Sequence, residues 1–342
     1  MERVIEGFAI ETDEHWIFSV KGLLHPPDRV IAYLRYLPDG TGDRQRGGET
    51  YRRVYQFADQ VALLRAYHPE YLFVDPALGM EVQGVPQSQI RVVHDPCAFL
   101  ANLRRSGPGD ALGEDALAAG EELQRASGVP WSALGVSGSI LLGTHTPDSD
   151  LDLVVYGREA GKQVHRALGE LFQEADGPIQ GLEDAELREL HGMHRPDTPL
   201  SFEMFCRMQR RKANEGRYRG RSLFLRFVQW PEETRERYGQ RRIEGLGPAW
   251  VRVIVEDDGE AIFTPCRYGV ARAVVLDGPP VKDLSELVSF RGRFSDQLRA
   301  GEVAEGRGRL ERVVDESGEA NHRLVIGGQA GDWLVALDAA IA

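Results

Sequence analysis

Residues 135–157 read GVSGSILLGTHTPDSDLDLVVYG. Asp150 and Asp152 open an otherwise apolar run, LDLVVY. Two positions apart in a strand, their side chains leave the same face. A strand heading for a core does not carry two acids on one face unless something offsets their charge. Upstream, Gly135 and Gly138 let the backbone approach a ligand closely. The short apolar run after Gly138-Ser139 has the look of a helix. A turn that opens a helix points free N–H groups outward, where they bind phosphate. Ser139 adds a hydroxyl donor. Paired carboxylates with nothing basic between them make a hard-oxygen site suited to Mg²⁺, which is commonly held by one or two carboxylates plus substrate phosphates. Phosphate cradle and metal site together are what nucleotide chemistry needs. Two metal ions there can activate an acceptor oxygen and stabilise a leaving pyrophosphate. The plainer alternative is a strand-turn-strand in which Asp148 or Asp150 caps a turn.

The flanks supply a context. EDALAAGEELQRASG reads as a helix ending at Gly128, and ALGVSGS as a short strand entering the glycine turn. In GKQVHRALGELFQEA, Val164, Leu168, Leu171 and Phe172 fall on one helical face. LEDAELRELHGMH and SFEMFCRMQRRKANEG (to Gly216) read as helices, and SLFLRFVQW as a strand.

With those neighbours, the segment from Ala133 to Gly157 resembles the signature of the polymerase-β-like nucleotidyltransferase superfamily. That signature is Gly-Ser, a spacer of about ten residues, Asp-x-Asp and an apolar strand. Here its parts are Gly138-Ser139 and Asp150-Leu151-Asp152, with Pro147 and Ser149 as the Pro-x-Ser before the first aspartate. The resemblance implies that Asp150 and Asp152 hold one or two Mg²⁺ ions and act in catalysis. It implies that Gly138 and Ser139 hold the phosphates of an NTP. The activity implied is transfer of a nucleoside monophosphate to an acceptor hydroxyl with release of pyrophosphate. Acceptors in that superfamily include small molecules, proteins and RNA ends. A third carboxylate on a later strand commonly completes such a site, and here the sequence departs. SLFLRFVQW has no acid and carries Arg226; Glu203 in SFEMF is the nearest substitute. A nucleotide- or RNA-binding module without turnover is therefore the second reading.

Around this centre the chain is expected to be α/β (α+β) in three parts. Residues 1–107 read as a β-rich N-terminal domain, 113–244 as the nucleotidyltransferase-like domain on a small mixed sheet, and 247–342 as a small β barrel or sandwich. FAIETDEHWIFSV gives two strands about Asp13, RVIAYLRYLP another, and DGTGDRQRGGE a long loop. YQFADQVALLRAYHPEYLF is helical until Pro69, and CAFLANLRR is a short helix. SGPGDALG at Ser106 to Gly113 is the clearest linker, and Gly245 to Pro248 a second boundary.

Composition narrows the class. Of 342 residues, 42% are hydrophobic and 27% charged, as in folded soluble proteins. The net charge of -12 argues against wholesale electrostatic binding to nucleic acid. One stretch runs the other way: Arg207, Arg210, Arg211, Lys212, Arg217, Arg219, Arg221 and Arg226 with Glu215 as its only acid. Arg211 and Lys212 are candidates to neutralise triphosphate, with a solvated helix face as the alternative. The three cysteines are far apart and form no CxxC, which speaks against a zinc site or disulfide framework. MERVIEGFAI lacks signal-peptide features and no apolar run reaches a membrane span, so a cytoplasmic location without membrane attachment is expected.

Overall fold

A computed structural model describes residues 4–174, 177–234 and 236–337. β-branched and aromatic runs dominate the first hundred residues and pair into an eight-stranded sheet. Ala9–Thr12 and Ile17–Val20 form the expected antiparallel pair, and Arg29–Pro38 lies beside the second. The segment expected as a long loop is in part a hairpin, Arg44–Arg46 with Glu49–Arg53, turning through Gly47 and Gly48 at φ 57° and 86°. Two glycines at positive φ suit a tight hairpin turn, so its charged strands form despite a polar composition. Asp95 caps the helix Pro96–Ser106 by accepting from the amides of Cys97 and Ala98.

The central sheet has five strands, in the order Ile179–Gln180, Glu215–Tyr218, Arg221–Val228, Leu151–Tyr156, Leu134–Val136. Leu151–Tyr156 runs parallel to Arg221–Val228 and antiparallel to Leu134–Val136, so this sheet is mixed. The helices Ala111–Ser127 and Arg158–Leu171 pack on each other and on Leu151–Tyr156. Asp110 and left-handed Gly128 bound the first of them. Val164, Leu168 and Leu171 are buried, as the helical spacing requires.

The C-terminal sheet has six strands. Its long first strand, Arg241–Glu260, pairs with Val303–Asp315 over its first part and with Cys266–Asp277 over its second. The sheet therefore curls strongly without making a clear barrel or a two-sheet sandwich. The expected boundary at Gly245 to Pro248 falls inside that strand, where the pairing with Val303–Asp315 shifts register between Gly245 and Gly247.

The chain divides into two compact units. Met1–Pro76, Met80–Gln180 and Gly216–Tyr238 form one; Ala77–Gly79, Gly181–Glu215 and Gly239–Ala342 form the other. The β-rich start and the central sheet thus share a unit. They share a core as well: Ile5, Phe8, Phe18 and Val20 bury with Val154, Tyr156 and Val228. In the second unit the helix Phe202–Gln209, shorter than the sequence suggests, buries Met208 in the core of the C-terminal sheet. No helix among the described residues is long and apolar enough to cross a membrane.

Leu168 has no exposed surface on the helix behind the aspartate strand. Leu168→Ala is expected to cost about 2–5 kcal/mol in urea unfolding. A loss below about 1 kcal/mol would mean that this helix does not carry the central core.

Candidate functional site

The strand Leu151–Tyr156 places Asp152, Val154 and Tyr156 on one face. In the parallel neighbour the register pairs Asp152 with Phe224, Val154 with Arg226 and Tyr156 with Val228. The N-terminal sheet covers this face from Val154 onward. Val154, Tyr156 and Val228 are buried in its core, and the Tyr156 hydroxyl donates to the Glu6 carbonyl at 3.0 Å. Asp152 is half-buried where that cover ends, and Asp150 is exposed in the loop just before.

The Gly-Ser turn lies directly against Asp152. Gly138 has φ 63°, and a Cβ there would stand 2.0 Å from Oδ2 of Asp152. Only glycine permits both the backbone angle and the approach. The Ser137 amide donates to the Asp152 carbonyl at 2.8 Å, which ties the two segments together. Gly138–Leu142 is a single five-residue helical turn, ended by left-handed Gly143. Ser139 is half-buried, and its hydroxyl makes no hydrogen bond among the described residues.

The loop between turn and strand is fixed by its own polar groups. The Thr146 amide donates to the Ser149 hydroxyl at 2.9 Å and the Ser149 amide returns to the Thr146 carbonyl at 3.0 Å. His145 Nε2 lies 2.9 Å from Asp110, the residue that caps the helix Ala111–Ser127. Arg221 donates to Asp115 at 2.8 Å and to the Pro147 carbonyl. Pro147 and Ser149 therefore act by shaping the loop that presents Asp150.

Charge around Asp152 is unusual. Glu6 is only 1% exposed and takes Lys21 at 3.0 Å and Arg226 at 2.9 Å. Burial pushes Glu6 upward, but Lys21 and Arg226 outweigh it and hold its carboxyl below the ordinary value. Burial pushes the Asp152 carboxyl up to about 6; Arg226 pulls it down, Asp150 adds to the rise, and Arg35 and Arg53 pull it down further. Arg226, which the sequence shows only as the wrong charge for a third carboxylate, is thus the strand's link to the N-terminal sheet.

The other expected site residues belong to the second unit. Glu203 is exposed on the helix Phe202–Gln209 of the second unit. Among the described residues no group of three or more His, Cys, Asp or Glu side chains is placed to hold a metal. Arg211 pairs with Glu302 at 2.5 Å. Lys212 is 5% exposed and donates to the Arg293 carbonyl at 2.6 Å. Both cations are occupied within the second unit, as Arg207 is by the Ala336 carbonyl at 2.6 Å. Arg207, Arg211 and Lys212 thus tie the end of this helix to the C-terminal sheet and its loops. His191 donates from Nε2 to the Leu200 carbonyl, 2.9 Å away, and packs beside Phe202 and Phe205.

Asp150 and Asp152 supply two hard oxygen donors at the mouth of one strand, a donor set that suits Mg²⁺ completed by phosphate oxygens. Strand, Gly-Ser turn and aspartate strand together decide the comparison. Residues 121–197 match a nucleotidyltransferase domain. The matched segment spans the Gly-Ser turn and both aspartates, and it ends before the Arg221–Val228 strand. Along nearly its whole length the chain is also similar to an uncharacterized protein of Methanocaldococcus jannaschii. The two are 28% identical over 327 residues, which cover 93% of this chain and 94% of that one. No solved structure matches. A nucleotidyltransferase domain in the centre makes nucleotidyl transfer the general activity to which this chain points.

Two outcomes follow for the domain. Gly138→Ala is expected to cost about 1–3 kcal/mol in denaturant unfolding, from strain at positive φ and the contact with Oδ2. Adding Asp152→Ala recovers part of that loss; strictly additive effects would show that the two residues do not touch in solution. The second outcome concerns pH. The folded pKa of Asp152, about 6, lies above its ordinary 3.8, so its charge opposes folding as pH rises through about 6. In EDTA, Asp152→Asn should be more stable than wild type above pH 6, by about 1–3 kcal/mol. The gap should narrow as pH falls through 3.8 and close below about pH 3, where Asp152 is neutral in folded and unfolded chains alike. Equal stability at pH 8 would show that Asp152 is ordinarily solvated.

Proposed function

We propose that the chain is a Mg²⁺-dependent nucleotidyltransferase that moves a nucleoside monophosphate from an NTP to an acceptor hydroxyl and releases pyrophosphate. The observation that carries this reading is the contact of Gly138 with Asp152, which sets the phosphate-binding turn beside the carboxylate pair. Asp150 and Asp152 would hold the metal, and the turn at Gly138 and Ser139 would hold the phosphates. The bound metal supplies charge neutralisation of the pyrophosphate and a lowered pKa for the attacking hydroxyl. The chain's own contribution is positional. Asp152 is fixed by its strand, the Ser137 amide holds turn to strand, and the Thr146–Ser149 turn sets Asp150.

A second reading is a nucleotide-binding module without turnover. It is favoured by Phe224 and Arg226, which occupy the face of the neighbouring strand where a third carboxylate would sit. In the transferase reading that strand offers no carboxylate to activate the acceptor, and the bound metal would do so; Glu203, exposed on the second unit, stays the candidate third carboxylate.

Thermal unfolding with Mg²⁺ and each of the four NTPs tests both readings. A ligand at about a hundred times its Kd adds roughly 2.7 kcal/mol, a rise of several degrees in Tm. The expected result is a Mg²⁺-dependent rise with at least one NTP that disappears in Asp150→Asn/Asp152→Asn. No rise at millimolar ligand would rule out transferase and binding module together. A rise without pyrophosphate release in the presence of candidate acceptors would favour the module.

A further inference from the structure

Arg35 and Arg53 stand on neighbouring strands of the N-terminal sheet, Arg29–Pro38 and Glu49–Arg53. Each guanidinium carbon lies 4.2 Å from the centroid of the Tyr55 ring, and Tyr55 is 58% exposed. Among the described residues neither arginine has a carboxylate partner. Their neighbours in the same region do. Arg52 donates to Asp39 at 2.7 Å, Arg46 to Glu11 at 2.8 Å, and Arg44 pairs with Asp43 at 3.3 Å. A guanidinium resting on a ring is held by cation–π attraction while its in-plane N–H donors stay open. Those donors match the oxygens of a phosphate in a bidentate fork.

Arg53 also faces the site, and the Tyr55 ring the two share keeps Arg35 next to it. Arg53 lies directly opposite Tyr36 in the antiparallel register, so both side chains leave the same face. Tyr36 and Tyr51 pack with Leu142, the last residue of the Gly-Ser helix. The charges of Arg35 and Arg53 are both felt at Asp152. Cations outnumber their partners here, since Lys21 and Arg226 share one carboxylate, Glu6.

We propose that Arg35 and Arg53, held on Tyr55, form a phosphate-binding site beside Asp152 that the N-terminal sheet contributes to the nucleotidyltransferase domain. Its ligand is a phosphate group, either of the NTP's own tail or of a phosphorylated acceptor. The presence of a nucleotide at Asp152 rests on the function proposed above; the phosphate site is tested without metal or nucleotide.

Inorganic phosphate is titrated calorimetrically into the full chain in EDTA. Wild type is expected to bind saturably, and Arg35→Gln/Arg53→Gln to bind about tenfold more weakly or worse. Arg52→Gln removes the same charge one residue away and should leave the affinity unchanged. The single variants Arg35→Gln and Arg53→Gln serve if the pair fails to fold. Unchanged affinity in the Arg35/Arg53 variants, an equal loss in Arg52→Gln, or no saturable binding by wild type would overturn the proposal. Asp150→Asn/Asp152→Asn should keep phosphate binding while losing the Mg²⁺-dependent NTP response. If no protein responds to NTP yet phosphate binding still needs the two arginines, the transferase reading fails and the phosphate site stands. Repeating the titration with saturating Mg·NTP separates the sources: displacement assigns the site to the nucleotide tail, and simultaneous binding assigns it to the acceptor.

Discussion

A carboxylate at the edge of an apolar seal is the constraint around which the first unit is arranged. Asp152 shares its strand face with Val154 and Tyr156, and both of those are buried under the N-terminal sheet. The acid sits at the first position the cover leaves open. Desolvation there makes its charge costly and keeps it available to a cation. Gly138 follows from the same constraint, because any side chain at that position would collide with the carboxyl. A site built this way trades stability of the empty protein for readiness to bind, a common arrangement where charge must be held for use.

The N-terminal sheet belongs to the site's architecture. The segment leading into it contributes Glu6, whose carboxylate neutralises Arg226 from the neighbouring strand and whose carbonyl accepts from Tyr156. The sheet also packs Tyr36 and Tyr51 on the end of the Gly-Ser helix. The segment matching the nucleotidyltransferase domain, residues 121–197, contains none of Glu6, Tyr36, Tyr51 and Arg226. The similarity to the Methanocaldococcus protein extends over both flanks as well, across 93% of this chain.

In the second unit, cationic density serves packing. Arg207, Arg211 and Lys212 donate to a carbonyl, a carboxylate and another carbonyl, each belonging to the C-terminal sheet or its loops. Buried or half-buried cations need such partners, and once they have them they offer little to a ligand. The same logic marks Arg35 and Arg53 as different, since a ring and not an acid holds them.

Much was legible in residues 133–157, because every part of that segment acts locally. Positive φ needs glycine, and the apolar run after Asp152 must be buried; Asp150, expected on the same strand face as Asp152, stands instead in the loop just before the strand. The amphipathic helix with Leu168 and the strand Arg221–Val228 were legible for the same reason, as periodicity records which face meets a core. The hairpin Arg44–Arg46 with Glu49–Arg53 was not, because charged strands give no hydrophobic alternation. The curl of the C-terminal sheet was hidden too, since it depends on which distant strands the long Arg241–Glu260 strand pairs with. Sequence alone determined the pair of aspartates, the glycine turn and their nucleotidyltransferase-like order. Only the tertiary structure decided which cations face that pair. Sequence adjacency pointed to Arg211 and Lys212, whereas strand pairing sets Arg226 beside the aspartate strand, and Arg35 and Arg53 of the N-terminal sheet lower the Asp152 carboxyl, all from segments far apart in the chain. Coulomb energy depends on distance in space, and a cation's availability depends on whether a carboxylate has already claimed it.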